Sequence, residues 1–315
     1  MGNEMNGRII NPYSIRLGIV GAGNLGSEIA LVALCANISV TLYDNSGEKL
    51  TDAYRYIEYQ LASKGRQIRL RDLKLSEEIE ALTGAGVIVE VIPEDLEQIR
   101  NLLATLDRIC PPPAILVVST GTFSVTALAA ATKNPERVAG MHFINLNAAM
   151  PVVEVVQAAQ TQPEIIADLV RLSGILEKVP IVVHDLPGFI INRILQPFYG
   201  EALRLLGEGA ATLNQIDNLM RMGAGFPNGP FQLMDLIGID VNLAVTKSMY
   251  ERTFGEPRYR PHPIQLRMLQ QGTLGRKTKQ GFYSYASETT QPEALPPAKL
   301  RGSGQVYLSL GTCCC

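Results

Sequence analysis

The chain has 315 residues, long enough for two compact domains or one large α/β domain, and 46% hydrophobic with 18% charged residues is a globular balance. A formal net charge of −2, with lysines and arginines spread along the chain, offers no basic face for nucleic acid. No apolar run approaches the roughly 20 residues of a membrane span, and the polar opening residues lack a signal pattern, so a cytoplasmic protein is expected. Cys35 and Cys110 read as small buried hydrophobes, and Cys313, Cys314 and Cys315 as an oxidation-prone tail. An odd cysteine count argues against a disulfide framework.

In chain order, Arg16–Val20 is a short apolar strand that stops at Gly21. Ser27–Ala36 is helical in character, and Ser39–Tyr43 is a β-branched strand ending at Asp44. Further strands are expected at Val87–Ile92, Ala114–Val118, Val138–His142, Val152–Val156 and Pro180–Val183, with helices at Asp95–Arg108 and Pro163–Leu176. Strands separated by helices of this length predict an α/β fold: a Rossmann-type, doubly wound, mostly parallel sheet.

Beyond Asp185 the pattern turns all-helical, with helices expected at Ile190–Gly207, Leu213–Gly223, Pro230–Met249 and Ile264–Gln271. The expected domains are 14–185 for the sheet, 186–286 for the helices and 287–315 for a flexible tail.

The first strand runs into Gly21-Ala22-Gly23-Asn24-Leu25-Gly26, a G-x-G-x-x-G turn that opens a helix. Gly21 permits the tight turn, Gly23 lets backbone approach a pyrophosphate, and Gly26 lets helix pack on strand. The helix N-terminus then faces the anion. Asp44, closing the second strand, is placed to accept hydrogen bonds from a ribose and to repel a 2′-phosphate, which favours NAD over NADP. Gly21, Gly23, Asn24, Leu25, Gly26 and Asp44 are therefore the expected cofactor residues.

Of the three histidines, His184 sits just before the domain junction, His262 lies between prolines in an expected loop, and His142 closes an apparent strand. Ligands of open α/β sheets gather at the carboxyl ends of strands. Glu154, 12 positions on, lies between valines, where a carboxylate is costly to bury without a partner. A Glu holding one imidazole nitrogen fixes the tautomer and leaves the other nitrogen for a substrate hydroxyl. Hydride transfer from an alcohol to nicotinamide requires such a base.

Together these segments resemble the 3-hydroxyacyl-CoA dehydrogenase family, including its 3-hydroxybutyryl-CoA dehydrogenases. The resemblance covers roughly residues 15–285 and rests on the glycine turn, His142-Phe143-x-Asn145 with Val153-Glu154-Val155, Pro187-Gly188-Phe189-Ile190-x-Asn192-Arg193, and Gly223 to Phe231 with Asp235. Gly275-Arg276-Lys277-Thr278 and Gly281-Phe282-Tyr283 match the closing signature.

The resemblance implies His142 as base, Glu154 as its partner, Asn145 near the nicotinamide and Asn192 in the substrate cleft. It adds Glu94 and Lys277 to the NAD site, places Thr120, Gly121 and Thr122 in the substrate loop, and implies a homodimer through the helical domain. The implied reaction oxidises or reduces a 3-hydroxyacyl thioester.

Three departures bear on the substrate. Gly121 stands where the family usually has a serine, leaving Thr122 or Ser119 as possible replacements. Asn145-Leu146 replaces the usual Asn-Pro. The segment between Asp44 and Glu90 is shorter than the family's CoA-holding region; its Lys64, Arg66, Arg69, Arg71 and Lys74 read equally as phosphate contacts or a solvated helix face. The acyl group is thus carried by CoA or by an acyl carrier protein. A non-thioester 3-hydroxyacid dehydrogenase and an NAD-binding sensor without catalysis are the other readings.

Overall fold

A computed structural model describes residues 15–143 and 151–286 of the chain. Asn145 and the residues from 287 onward, with the terminal cysteines, lie outside the described residues.

Strands β1 (Arg16–Val20), β2 (Ser39–Tyr43), β3 (Leu73–Ser76), β4 (Val87–Glu90), β5 (Ile115–Val118), β6 (Val138–Phe143), β7 (Val152–Gln157) and β8 (Val179–His184) form one sheet. Their order is β3-β2-β1-β4-β5-β6-β7-β8. Strands β1 to β6 are parallel; β7 runs antiparallel to β6, and β8 runs parallel to β7. The chain winds from β1 out to β3 and returns to the other side of β1 at β4. The strand order therefore reverses between β1 and β4, which opens a crevice at their carboxyl ends.

Helices cover both faces of the sheet. On one face α1 (Asn24–Cys35), α2 (Gly47–Ser63) and α5 (Pro163–Ile175) pack on Leu17, Ile19, Val40, Leu42, Val153 and Val155. On the other, α3 (Leu96–Ile109) and α4 (Val125–Ala129) cover Val20, Ile88, Leu116 and Val118. Strands buried on both faces read as continuous apolar runs rather than alternations, as parallel sheets require.

Between Asp44 and Val87, where the sequence predicts no element, the structure has α2, β3 and two 3-10 helices, Gln67–Asp72 and Ile79–Leu82. In α2, Leu50, Ala53, Ile57 and Leu61 are buried at three- and four-residue intervals, one helical stripe whose larger side chains contribute roughly 1.5–3 kcal/mol each. Ser46 caps it by accepting from Lys49 N–H. Strand β3 has only four residues and sits at the sheet edge, too short for a periodic signal.

The basic residues of this stretch do not share one helix. Lys64 ends α2, Arg66 donates to the Cys35 carbonyl, and Arg69 and Arg71 both meet Asp72. Lys74 lies on β3.

Beyond β8 come α6 (Ile191–Gly207), α7 (Leu213–Asn218), α8 (Pro230–Ile237), α9 (Ile239–Arg252) and α10 (Pro263–Gln271). The single helix expected over Pro230–Met249 is two, because Gly238 has φ +104°, a conformation no helix contains. Likewise α7 stops at Asn218 and gives way to a π turn, Leu219–Gly223.

The described residues divide into two compact units: those up to Pro197 together with Val245–Arg260, and Phe198–Ala244 together with those from Pro261 to 286. Within the second, Asp235 is 1% exposed and gathers three donors from the closing segment. Phe282 N–H and Tyr283 N–H donate to it at 2.9 Å, and the Tyr285 hydroxyl donates at 3.0 Å. Asp217 accepts from Phe231 N–H, Gln232 N–H and the Tyr283 hydroxyl. A Cβ at Gly281 would lie 2.0 Å from Asp235 Oδ1, which explains the glycine of the closing signature. That signature holds the unit together.

Candidate active site

The β1–α1 turn has the form a dinucleotide needs. Gly21 has φ +112°, and a Cβ there would lie 3.0 Å from the Val91 carbonyl oxygen. A Cβ at Gly26 would lie 1.9 Å from the Gly21 carbonyl oxygen, so only glycine lets α1 start this close to the turn. Above Gly23 nothing lies within 4 Å. That open space at the first amides of α1 is where a pyrophosphate fits.

Asp44, 7% exposed, is fixed by two amides: Ala22 N–H donates to Oδ2 at 2.9 Å and Ser46 N–H to Oδ1 at 3.0 Å. Each oxygen keeps an accepting lone pair for a ribose hydroxyl. Gly21, Gly23, Asn24, Leu25 and Asp44 all line one cleft of about 740 Å³, together with Pro93. The donor set and the glycine cradle fit NAD.

His142 and Glu154 are brought together by the reversal of strand direction. They are direct partners in the antiparallel β6–β7 register, so both side chains project from the same face. His142 Nδ1 lies 2.7 Å from Glu154 Oε2. An ionised carboxylate only accepts, so the proton is on Nδ1 and Nε2 carries the free lone pair.

Glu154 is fully buried, and its second oxygen is also held: Ile190 N–H and Ile191 N–H donate to Oε1 at 2.8 and 2.9 Å. These amides are presented by the turn before α6, where Gly188 and Phe189 have φ +74° and +47°. The Phe189 ring packs on the imidazole, centroids 5.9 Å apart.

The free edge of His142 meets the loop after β5. A Cβ at Gly121 would sit 2.9 Å from His142 Nε2 and 3.2 Å from Asn192 Nδ2. Asn192 donates to the Gly121 carbonyl at 3.1 Å. His142, Gly121 and Asn192 therefore converge.

Glu94 anchors that loop from below. Its Oε1 accepts from the Thr120 hydroxyl at 2.9 Å and Gly121 N–H at 3.1 Å, and its Oε2 from the Thr122 hydroxyl at 2.5 Å. The Thr122 hydroxyl is thus engaged with Glu94. Lys277 lies in the second compact unit, where its Nζ donates to Asp240 Oδ2 at 2.6 Å.

Sequence reasoning missed the two amides that hold Glu154, because backbone donors leave no side-chain pattern; Pro187-Gly188 is their only trace. It also missed Ser248 and Arg252, which reach the Thr122 carbonyl oxygen from 126 and 130 positions away. Glu90 was read only as part of a strand. It is 1% exposed, and burial pushes its carboxyl up to about 8.

Among the described residues no group of three or more His, Cys, Asp or Glu side chains has a metal-holding arrangement, and no helix is long and apolar enough to cross a membrane.

Residues 16–186 match the family model described as 3-hydroxyacyl-CoA dehydrogenase, NAD binding domain, and residues 188–285 match the C-terminal domain of the same family. The 3-hydroxyadipyl-CoA dehydrogenase of Escherichia coli is 41% identical over 279 residues, covering 86% of this chain and 59% of that protein. A probable 3-hydroxybutyryl-CoA dehydrogenase of Bacillus subtilis is 34% identical over 281 residues, covering 86% and 98%. The crystal structure of (S)-3-hydroxybutyryl-CoA dehydrogenase from Ralstonia eutropha superposes with a TM-score of 0.82 at 34% identity, covering 86% of this chain and 99% of that one. The expected family and fold class are both borne out: the chain belongs to the 3-hydroxyacyl-CoA dehydrogenase family of NAD-dependent oxidoreductases.

Proposed function

We propose that the chain interconverts a 3-hydroxyacyl-CoA and the corresponding 3-oxoacyl-CoA, with His142 as the general base. The observation that carries this is the free Nε2 of His142, held beside Gly121 and Asn192 by a buried carboxylate on Nδ1. Bound NAD supplies the hydride acceptor for the oxidation. As the hydride leaves C3, His142 Nε2 takes the hydroxyl proton and C3–O becomes a carbonyl. Glu154 stabilises the resulting imidazolium and keeps the ring from turning. In reduction the protonated ring returns the proton to the carbonyl oxygen. A positioned base of this kind contributes about 10²–10⁴-fold.

Asn192 reaches the substrate in its cleft, and Asn145, outside the described residues, is assigned the role near the nicotinamide that the family resemblance implies. Thr120, Gly121 and Thr122 form the wall along the acyl group. The glycine turn, Asp44 and Glu94 hold the cofactor. The working form we propose is a cytoplasmic homodimer through the helical segment, a reading supported by exposed Leu219, Met222 and Phe226.

The test is NADH oxidation with acetoacetyl-CoA beside the same acyl group on a carrier protein. Turnover of the CoA ester supports the proposal. Turnover on the carrier alone moves the substrate to a biosynthetic arm, and silence on both overturns the thioester assignment.

A further inference from the structure

We propose that Arg252 selects acyl groups that carry a second carboxylate at the end remote from the thioester. The inference rests on the dehydrogenase reading above and adds the substrate class that this site prefers.

Arg252 is the last residue of α9, and its guanidinium donates to the carbonyl of Thr122. Ser248, one turn earlier, approaches the same oxygen at 3.5 Å. Thr122 directly follows Gly121, the residue against which the free nitrogen of His142 is packed. The cation is therefore fixed to the loop that carries Gly121, at the residue next to the one that faces His142.

Arg252 is half-buried, and among the described residues no direct ion pair neutralises its charge. The two acids whose fields reach it are Asp185 and Glu94. Glu94 already accepts from three donors of the Thr120–Thr122 loop. Asp185 Oδ2 accepts from the Ser124 hydroxyl at 2.6 Å and Thr126 N–H at 2.7 Å, while its Oδ1 has no partner among the described residues and stays beyond ion-pairing distance of Arg252. A guanidinium carries five donors in a planar fork suited to a carboxylate, and here a single acceptor is in place. A half-buried cation in this state is costly unless an anion arrives to complete it.

Two parts of a thioester substrate carry negative charge: the phosphates of CoA and, in a dicarboxylic acyl group, the far carboxylate. The pantetheine arm separates the phosphates from the reacting carbon by many bonds, whereas the far carboxylate of a short diacid follows C3 by only a few. The position of Arg252 beside Gly121 favours the carboxylate.

The experiment compares kcat/KM of the wild-type protein and of Arg252→Gln on 3-hydroxyadipyl-CoA and 3-hydroxyhexanoyl-CoA, which differ only at the far end. The wild type should favour the diacid, and Arg252→Gln should lower the diacid-to-monoacid ratio by about tenfold or more, mostly through KM; one such tenfold step is about 1.4 kcal/mol. Arg252→Lys should recover part of the ratio. If the ratio is the same in wild type and variant, whether both rates fall or neither does, the proposal is overturned. An equal loss on both esters would assign Arg252 to the shared CoA moiety or to support of the loop. Turnover of the monoacid keeps the dehydrogenase reading intact in either case, and absence of turnover on both esters in the wild type removes that reading together with the inference.

Discussion

His142 and Glu154 face each other across the antiparallel β6–β7 ladder, with Nδ1 and Oε2 2.7 Å apart, and the carboxylate is also tied to the first amides before α6. One acid thereby fixes both the base and the start of the next helix. Glu154→Gln keeps the shape but removes the charge that supports an imidazolium. We expect kcat to fall by about 10²-fold or more while KM and NADH affinity change little. Steady-state kinetics with NADH titration checks this, and an unchanged kcat contradicts the pairing.

This pair also marks what the sequence reveals. The 12-residue spacing and the flanking valines suggested that His142 and Glu154 meet, but only the strand reversal makes them direct neighbours. The glycine turn and Asp44 were legible because close backbone approach restricts residue choice at every step. The loop anchored by Glu94 was not, because its hydrogen bonds link positions 26 to 28 apart with no shared periodicity. The break at Gly238 was hidden by apolar residues that continue the helical pattern through it.

Gly121→Ser places a Cβ within 2.9 Å of His142 Nε2 and 3.2 Å of Asn192 Nδ2, so one of those side chains must move. A shift of about 1 Å at a reacting group costs on the order of 10²-fold. We expect kcat to drop by 10- to 100-fold with the thermal midpoint nearly unchanged. A rise in activity would show that this site has room for the family's usual serine.

Glu90 makes stability depend on pH. Its carboxyl is raised from 4.5 to about 8, chiefly by burial, with the charge of Glu94 adding and Ile92 N–H opposing. The folded state therefore holds a proton that the unfolded chain releases, so stability falls as pH rises from about 4.5 to 8 and levels off above. Glu90→Gln should be more stable than wild type at pH 8 by on the order of 1–3 kcal/mol, with the gap closing toward pH 5. Thermal melts across this range test it; a constant gap contradicts the assignment.

Asp235→Ala strands two amides and a tyrosine hydroxyl of the closing segment. Losing three bonds to a buried acceptor should cost about 3–5 kcal/mol. Urea unfolding gives the magnitude, and limited proteolysis should show earlier cleavage between Arg276 and Tyr285. Wild-type stability would mean that the segment is held by other contacts.

Asp44→Ala removes the acceptor fixed by Ala22 and Ser46 amides. NADH affinity should weaken by about tenfold, and the preference over NADPH should narrow, because a repelling charge is gone as well. Equal preference in variant and wild type would refute the ribose role.

The most direct test of the central claim is His142→Gln, measured twice on the same preparation: NADH binding by fluorescence and acetoacetyl-CoA reduction by absorbance. The account predicts NADH affinity close to wild type with turnover reduced by about 10³-fold or more. Turnover near the wild-type rate, with NADH still bound, would show that another group carries the proton.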